Sequence, residues 1–261
     1  MFYWIYDVPS WSVAFFFALT FVAVSSLGIL FVRPFLRLLM GRRSGLNDVV
    51  GYVLSFVSLI YGVLLGMLAV VTYQNLTEAD RISSHEASLV AALYEDAGTY
   101  PAELSDQLRG DLERYTRAVI DTEWPLLRRG STPLTQNGHL KSFLKRLTSF
   151  EPKGATYEIL HAETLREYNA LTEFRRARLH LAGVSIPGIM WYTIVMGAFL
   201  CIVLIWMFDS SVLSQLLLGG VAAFGMSTMV CLSALMDSPF RGDLSVSPAA
   251  FEAVHAALTK N

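Results

Sequence analysis

Apolar and polar positions divide this chain on two scales. On the long scale, four stretches run without a charged residue: Trp11 to Val32, Val49 to Tyr73, Pro187 to Phe208 and Val212 to Met236. A helix rises 1.5 Å per residue, so runs of this length predict helices that cross the ~30 Å hydrocarbon core of a bilayer. On the short scale, the region between the second and third runs is polar with a helical period. From Gln74 to Ala182 there are 14 Lys/Arg and 16 Asp/Glu. Leu104, Leu108, Leu112, Tyr115 and Val119 recur there as one apolar stripe, which predicts an amphipathic helix. Two more are predicted near Leu140–Ser149 and Tyr157–Ala182. No strand alternation stands out.

Punctuation residues set the joints. No Pro or Gly interrupts the chain between Gly66 and Gly98, so the second span is predicted to continue as one helix to about Ala97. Gly98 and Pro101 mark a turn, and Gly130 to Gly138 reads as a loop. Asn47 or Asp48 is placed to cap the second span, Pro187 to sit in the first turn of the third, and Asp209-Ser210-Ser211 to form a turn and N-cap before the fourth. Asp237 to Asp243 is a stiff polar turn, after which Ser247-Pro248 caps a tail helix with an apolar face of Phe251, Val254 and Leu258. The expected fold is an all-α integral membrane protein: four transmembrane helices with a helical extramembrane domain between the second and third. Its divisions are 1–73, a first helix pair with a basic connector; 74–182, the helical domain; 183–236, a second helix pair; and 237–261, the turn and tail.

Composition agrees. Hydrophobic residues are 54% and charged residues 16% of 261, with a mean hydropathy of +0.46, where ordinary soluble domains carry about 25% charge. The net charge of −2 gives no basic field to attract nucleic acid, so the implied partners are membrane lipids. Met1 to Ser10 holds no Lys or Arg, unlike the basic start of a secretory signal, and the first run is read as a retained membrane helix. Tyr3, Trp4, Tyr6 and Trp11 suit an interfacial aromatic belt. The connector offers Arg33, Arg37, Arg42 and Arg43, and the domain side a larger arginine total. That total places the domain in the cytoplasm of a cell (inner) membrane protein, although the first connector votes the other way.

Candidate chemistry is sparse. In the second span Gly51, Ser55, Ser58, Gly62, Gly66 and Ala69 fall on one helical face. Ser55, Ser58, Tyr61 and Thr72 supply hydroxyls, and a conduction path needs polar groups or dewettable apolar rings. Together with Gly62, Gly66 and Asn75 at the mouth, they are the candidate pore lining. The other reading is that Gly62 and Gly66 let a second helix approach closely. No span has an ionisable residue near its centre, which argues against a proton-coupled transporter. Glu86 is expected to pair with an arginine among Arg175, Arg176 and Arg178, a cluster that could instead hold lipid head groups or anions. Trp124 reads as a buried anchor and Asp237 as part of a turn too short for a calcium loop. The five histidines are dispersed, the two cysteines show no metal spacing, and no catalytic motif occurs, so no enzyme, metal or cofactor is expected.

The chain also resembles a known family. Asn47-Asp48, Tyr61-Gly62-Val63-Leu64-Leu65-Gly66, Glu86-Ala87-Ser88 with Leu93-Tyr94, Tyr115, Glu123-Trp124-Pro125, Arg175-Arg176-Ala177-Arg178-Leu179, Pro187 with Trp191, and Asp237-Ser238-Pro239-Phe240-Arg241-Gly242 occur in an order and spacing similar to the bestrophin-like domain family. That family is named for its similarity to bestrophin anion channels. The resemblance implies two helical pairs flanking a helical domain, assembled as a homo-oligomer, with a small inorganic ion as the substance handled. True bestrophins carry an acidic calcium clasp; no run of consecutive acids is present here, so calcium gating is not carried over.

Overall fold

A long uncharged sequence in hydrocarbon must satisfy its backbone hydrogen bonds internally, and the α-helix is the local way to do so. The computed structural model of this chain describes residues 3–40, 45–133 and 138–259, and helices account for its regular structure, with no strand among those residues. The helices are α1 (Ser10–Leu27), α2 (Arg33–Met40), α3 (Leu46–Ala97), α4 (Ala102–Ala118), α5 (Trp124–Arg128), α6 (Gly138–Thr148), α7 (Ala155–Leu181), α8 (Gly188–Trp206), α9 (Val212–Met236) and α10 (Ala249–Leu258). Four helical stretches are long and apolar enough to cross a membrane: Ser10–Leu39, α3, α8 and α9. Arg42 and Arg43 of the expected connector, and residues 134–137 of the expected loop, lie outside the described residues.

Four local expectations are corrected. The basic connector is largely helix: α1 passes through a wider π turn, Gly28–Val32, directly into α2, so Arg33 and Arg37 sit on a helix. The second helix starts at Leu46, which puts Asn47 and Asp48 inside its first turn. Pro187 is the residue before α8 rather than within its first turn. Glu123-Trp124-Pro125, which by sequence ends the amphipathic helix begun near Leu104, does not end it. A second π turn, Val119–Glu123, leads into α5, where Pro125 takes an early position. Proline clashes with the carbonyl four residues back, here Asp121, and a widened turn relieves that clash.

The chain forms two compact units. The first comprises Met1–Gln74, Ser185–Asp237 and Gly242–Leu244; the second comprises Asn75–Val184, Ser238–Arg241 and Ser245–Asn261. α3 contributes to both. Its 52 residues correspond to about 78 Å of helix, more than twice a hydrocarbon core.

In the first unit α1 and α9 pack along one another. The Ser25 hydroxyl donates to the Gly219 carbonyl (3.3 Å), and the Trp206 indole N–H donates to the Ser25 carbonyl (3.0 Å). These contacts need absent side chains. A β-carbon on Gly28 would fall inside the Trp206 ring system, and one on Gly197 would lie 2.5 Å from the Tyr61 ring. By contrast Gly62 and Gly66 meet nothing within 4 Å. Along the four spans the glycines in close contact with the rest of the chain are Gly28, Gly197 and Gly219, not the pair on α3. Large side chains such as Phe56, Leu59, Val63 and Met67 stand exposed along α3, with Phe15, Val195 and Val221 on the other spans. An apolar surface of that extent is what a bilayer covers.

In the second unit the apolar stripe of α4 meets α6, α7, α10 and the later part of α3. Leu108, Leu112, Tyr115, Phe143, Leu171 and Phe251 share one core, and Phe143 stacks on Tyr168 at 5.7 Å and 9°. Buried Asp111 accepts from Arg114 (2.7 Å) and from Arg146 on α6 (3.0 Å).

Gly28→Ala should destabilise the first unit by about 1–3 kcal/mol, because the rigid indole and the α1 backbone cannot both stay in place. Gly62→Ala, with open space around it, should shift stability by less than about 0.5 kcal/mol. Denaturant unfolding of both variants in detergent checks this; equal midpoints would sink the assignment of Gly28 as the seat of Trp206.

Candidate functional site

Within its span α3 has two distinct faces. Tyr61, Leu65, Leu68 and Thr72 turn toward the rest of the unit and are buried. Tyr61 packs with Ile194, Ala198 and Cys201, and the Thr72 hydroxyl donates to the carbonyls of Leu68 (3.2 Å) and Ala69 (3.0 Å). Ser55, Ser58, Gly62 and Gly66 lie on a different, exposed face. The candidate lining therefore separates. Tyr61 and Thr72 belong to the chain's own packing face, while Ser55, Ser58, Gly62 and Gly66 form an exposed small-residue strip beside it, with the Ser58 hydroxyl 3.9 Å from the Cys201 sulfur of α8. Asn75 is half-buried and falls in the second unit.

One end of the first unit carries a cluster of polar groups. The Arg37 guanidinium pairs with the Asp209 carboxylate and donates to the Ser210 carbonyl (3.0 Å), and Arg33 donates to the same carbonyl. The Asn47 amide bonds to Asp209 in both directions: Nδ2 donates to its carbonyl (2.9 Å) and its N–H donates to Oδ1 (2.7 Å). Asn47 thus clamps the α8–α9 turn instead of capping α3. Ser211 caps α9, accepting from the Ser214 N–H at 3.1 Å.

The second unit holds a buried ionic network. Arg178 on α7 is fully buried. Its Nε donates to Glu86 Oε2 (2.7 Å), and its Nη2 donates to Glu86 Oε1 (3.0 Å) and Glu123 Oε2 (2.8 Å). Arg175 donates to Glu123 Oε1 (2.7 Å), and the Tyr115 hydroxyl donates to Glu86. The guanidinium also lies over the rings of Trp124 (5.5 Å) and Phe251 (5.6 Å), a cation–π arrangement. Two guanidiniums face two carboxylates, so the group is neutral as a whole. Burial alone would push the Glu123 carboxyl up, but Arg178 and Arg175 outweigh it and hold it below the usual carboxylate range. Burial and then the Glu86 charge raise the Tyr115 phenol well above its ordinary value.

This settles where the arginine cluster stands. Arg175 and Arg178 are buried against carboxylates and are not open to lipid head groups or anions; Arg176 faces outward. Trp124 is buried, donating to the Val246 carbonyl (3.3 Å) and packing on Phe240 (5.5 Å). In the first unit Asp237 accepts from the Ile186 N–H (2.6 Å) and the Trp191 indole (3.4 Å). Those donors compensate an acid at a helix C-terminus, where the dipole disfavours it. Burial pushes its carboxyl up against their pull.

Several members were not singled out from sequence. Asp209 was read only as a turn residue. It is the one acid between the third and fourth spans, and arginines in the connector were its obvious complement. Glu123 had a signal too, as an acid on the apolar side of a helix that leads to a tryptophan. No His/Cys/Asp/Glu group with metal-binding geometry occurs among the described residues.

A family model described as the bestrophin-like domain matches residues 19–251. A crystal structure of a membrane protein superimposes with a TM-score of 0.68 at 12% identity, covering 95% of this chain and 97% of that one; at that identity the likeness is one of fold. No curated protein matches the sequence.

Replacing Arg178 by Met keeps most of the stem and removes the charge, leaving Glu86 buried and uncompensated. The second unit should lose about 3–5 kcal/mol, whereas Arg176→Met should change stability by less than about 0.5 kcal/mol. Denaturant titration separates the two, and a mild Arg178→Met would contradict the network's role.

Acid should act through Glu123. Its folded pKa is depressed, so its contribution is present above the unfolded value of ~4.3 and is lost as pH falls through the lower folded value. Thermal melts from about pH 7 to about pH 3 should fall less steeply below ~4.3 for Glu123→Gln than for the native chain. Parallel curves would refute the assignment.

Proposed function

The chain belongs to the bestrophin-like domain family, and from that premise we propose that it is an oligomeric ion channel, for anions by analogy, with copies of α3 lining the path. The observation that carries this reading is the strip of Ser55, Ser58, Gly62 and Gly66 on a membrane-spanning helix. The same helix packs by another face, and the strip meets no part of its own chain near Gly62 and Gly66. Conduction through hydrocarbon requires hydroxyls, backbone dipoles or narrow apolar constrictions, and small residues with serine hydroxyls bring the first two to a surface. Several copies around an axis would cover the strip and turn a costly exposed polar edge into a path. The proposal places the helical unit on the cytoplasmic side of the cell (inner) membrane, following the arginine distribution.

A second reading is a non-conducting membrane scaffold or sensor whose helical unit binds a partner or lipid. The burial of Arg175 and Arg178 removes its best recruitment surface, so it takes second place.

Purified protein in liposomes, with chloride, potassium and sodium gradients run in parallel, should show selective flux. Gly62→Leu should change that flux by about tenfold, the scale of 1.4 kcal/mol in a barrier, while leaving unfolding midpoint and oligomer size unchanged, because the position is open within one chain. Absence of flux from folded, oligomeric protein under every gradient would overturn the channel reading in favour of the scaffold.

A further inference from the structure

α3 runs unbroken from Leu46 to Ala97, so its angular register carries from the membrane span into the polar part of the helix. Eighteen residues make about five turns of 3.6 residues. Asp80 therefore stands on the line of Gly62, and Ser84 on the line of Gly66. Beyond the span, the small-residue strip is continued by a carboxylate and a hydroxyl, both exposed.

The remaining charges of α3 do not cancel that carboxylate. Arg81 is the only Lys or Arg in the helix. It lies one residue, about 100°, further round, and its guanidinium is held by Glu78 at 2.7 and 2.8 Å. Glu86 and Asp96 are engaged elsewhere, the first with Arg178 (2.7 Å) and the second with the Thr164 hydroxyl (3.1 Å). Glu95, further out, is exposed and of the same sign as Asp80. The Asp80 carboxylate has no ion pair or hydrogen bond among the described residues.

At 1.5 Å per residue, Asp80 lies about 10 Å along α3 beyond Tyr73, the last residue of the uncharged run. That is one Debye length at ~0.1 M salt, so its field reaches the end of the span. On a single copy, one such carboxylate is a solvated surface charge of little consequence. Several, set around an axis by copies of α3, add their fields at that axis, and rings of Asp or Glu are a means by which cation channels select their ion. The other end of the helix differs. Asp48 lies in its first turn, but Arg42 and Arg43 precede it in the chain, so no sign is assigned there.

We propose that the Asp80 carboxylates form such a ring and that the path lined by α3 favours small inorganic cations over anions. The inference rests on the channel reading of α3, and it replaces the anion analogy with a sign read from this chain's own charges.

Reversal potentials of the purified protein in planar bilayers, under a potassium chloride gradient, test it. Native protein should pass potassium about tenfold or more faster than chloride at ~0.1 M salt. Asp80→Asn should lower that ratio by about threefold or more, and Asp80→Lys should bring it below one. Asp106→Asn, which removes the same charge from an exposed position on α4, should leave it unchanged. Raising the salt to ~1 M, where the Debye length is ~3 Å, should lower the native ratio and hardly move that of Asp80→Asn. Chloride preferred by the native protein, or a ratio indifferent to both Asp80 substitutions, overturns the cation assignment and leaves the channel standing. No current from folded, oligomeric protein overturns the channel reading, and this inference with it.

Discussion

A guanidinium in the middle of an apolar helical core needs carboxylates to neutralise it and to accept from its N–H groups. Arg178 sets that condition for the second unit, and each helix that meets it supplies something. α3 brings Glu86, α4 brings the Tyr115 hydroxyl, the π turn brings Glu123, α5 brings the Trp124 ring and α10 brings Phe251. The desolvation of so many charges makes such a group a poor source of net stability compared with well-packed apolar residues. Its effect is on arrangement. Any register in which α7 slipped past α3 would strand a buried charge, so the network selects one packing among those the apolar stripes would allow.

The π turn before α5 follows from the same demand. Eight residues of regular α-helix from Tyr115 to Glu123 would rotate the carboxylate about 80° away from the face that Tyr115 occupies. The widened turn at Val119–Glu123 reduces that rotation, keeping Tyr115, Val119, Glu123 and Trp124 all buried. One irregularity thus serves both the ionic network and the proline that follows it.

Periodic features were legible in the sequence and angular ones were not. The four spans, the unbroken course of α3 from Leu46 to Ala97 and the stripe from Leu104 to Val119 follow from run length and helical period, and the structure has all of them. Within a span, however, almost every position is apolar, so no amphipathic contrast says which face turns inward. The small-residue strip on α3 marked one face, and the helix packs by another. Tyr61 and Thr72 consequently joined the candidate lining although they point into the chain. Close approach within the chain falls elsewhere than the familiar spacing of Gly62 and Gly66: Gly28 and Gly197 are where Trp206 and Tyr61 meet backbone. Those contacts pair residues more than a hundred positions apart, and a single sequence carries no signal for them.

Both units bond the buried polar groups on which their packing turns. In the second, Glu86, Glu123, Tyr115 and Asp111 are all buried and all bonded, with acceptors and donors supplied by neighbouring helices. In the first, Trp206, Ser25, Asn47 and Thr72 are likewise bonded, the Trp206 ring lying where a side chain is missing at Gly28. The missing side chain at Gly28 thus serves a hydrogen bond as well as packing: it lets the Trp206 ring lie against α1, where the indole N–H reaches the Ser25 carbonyl.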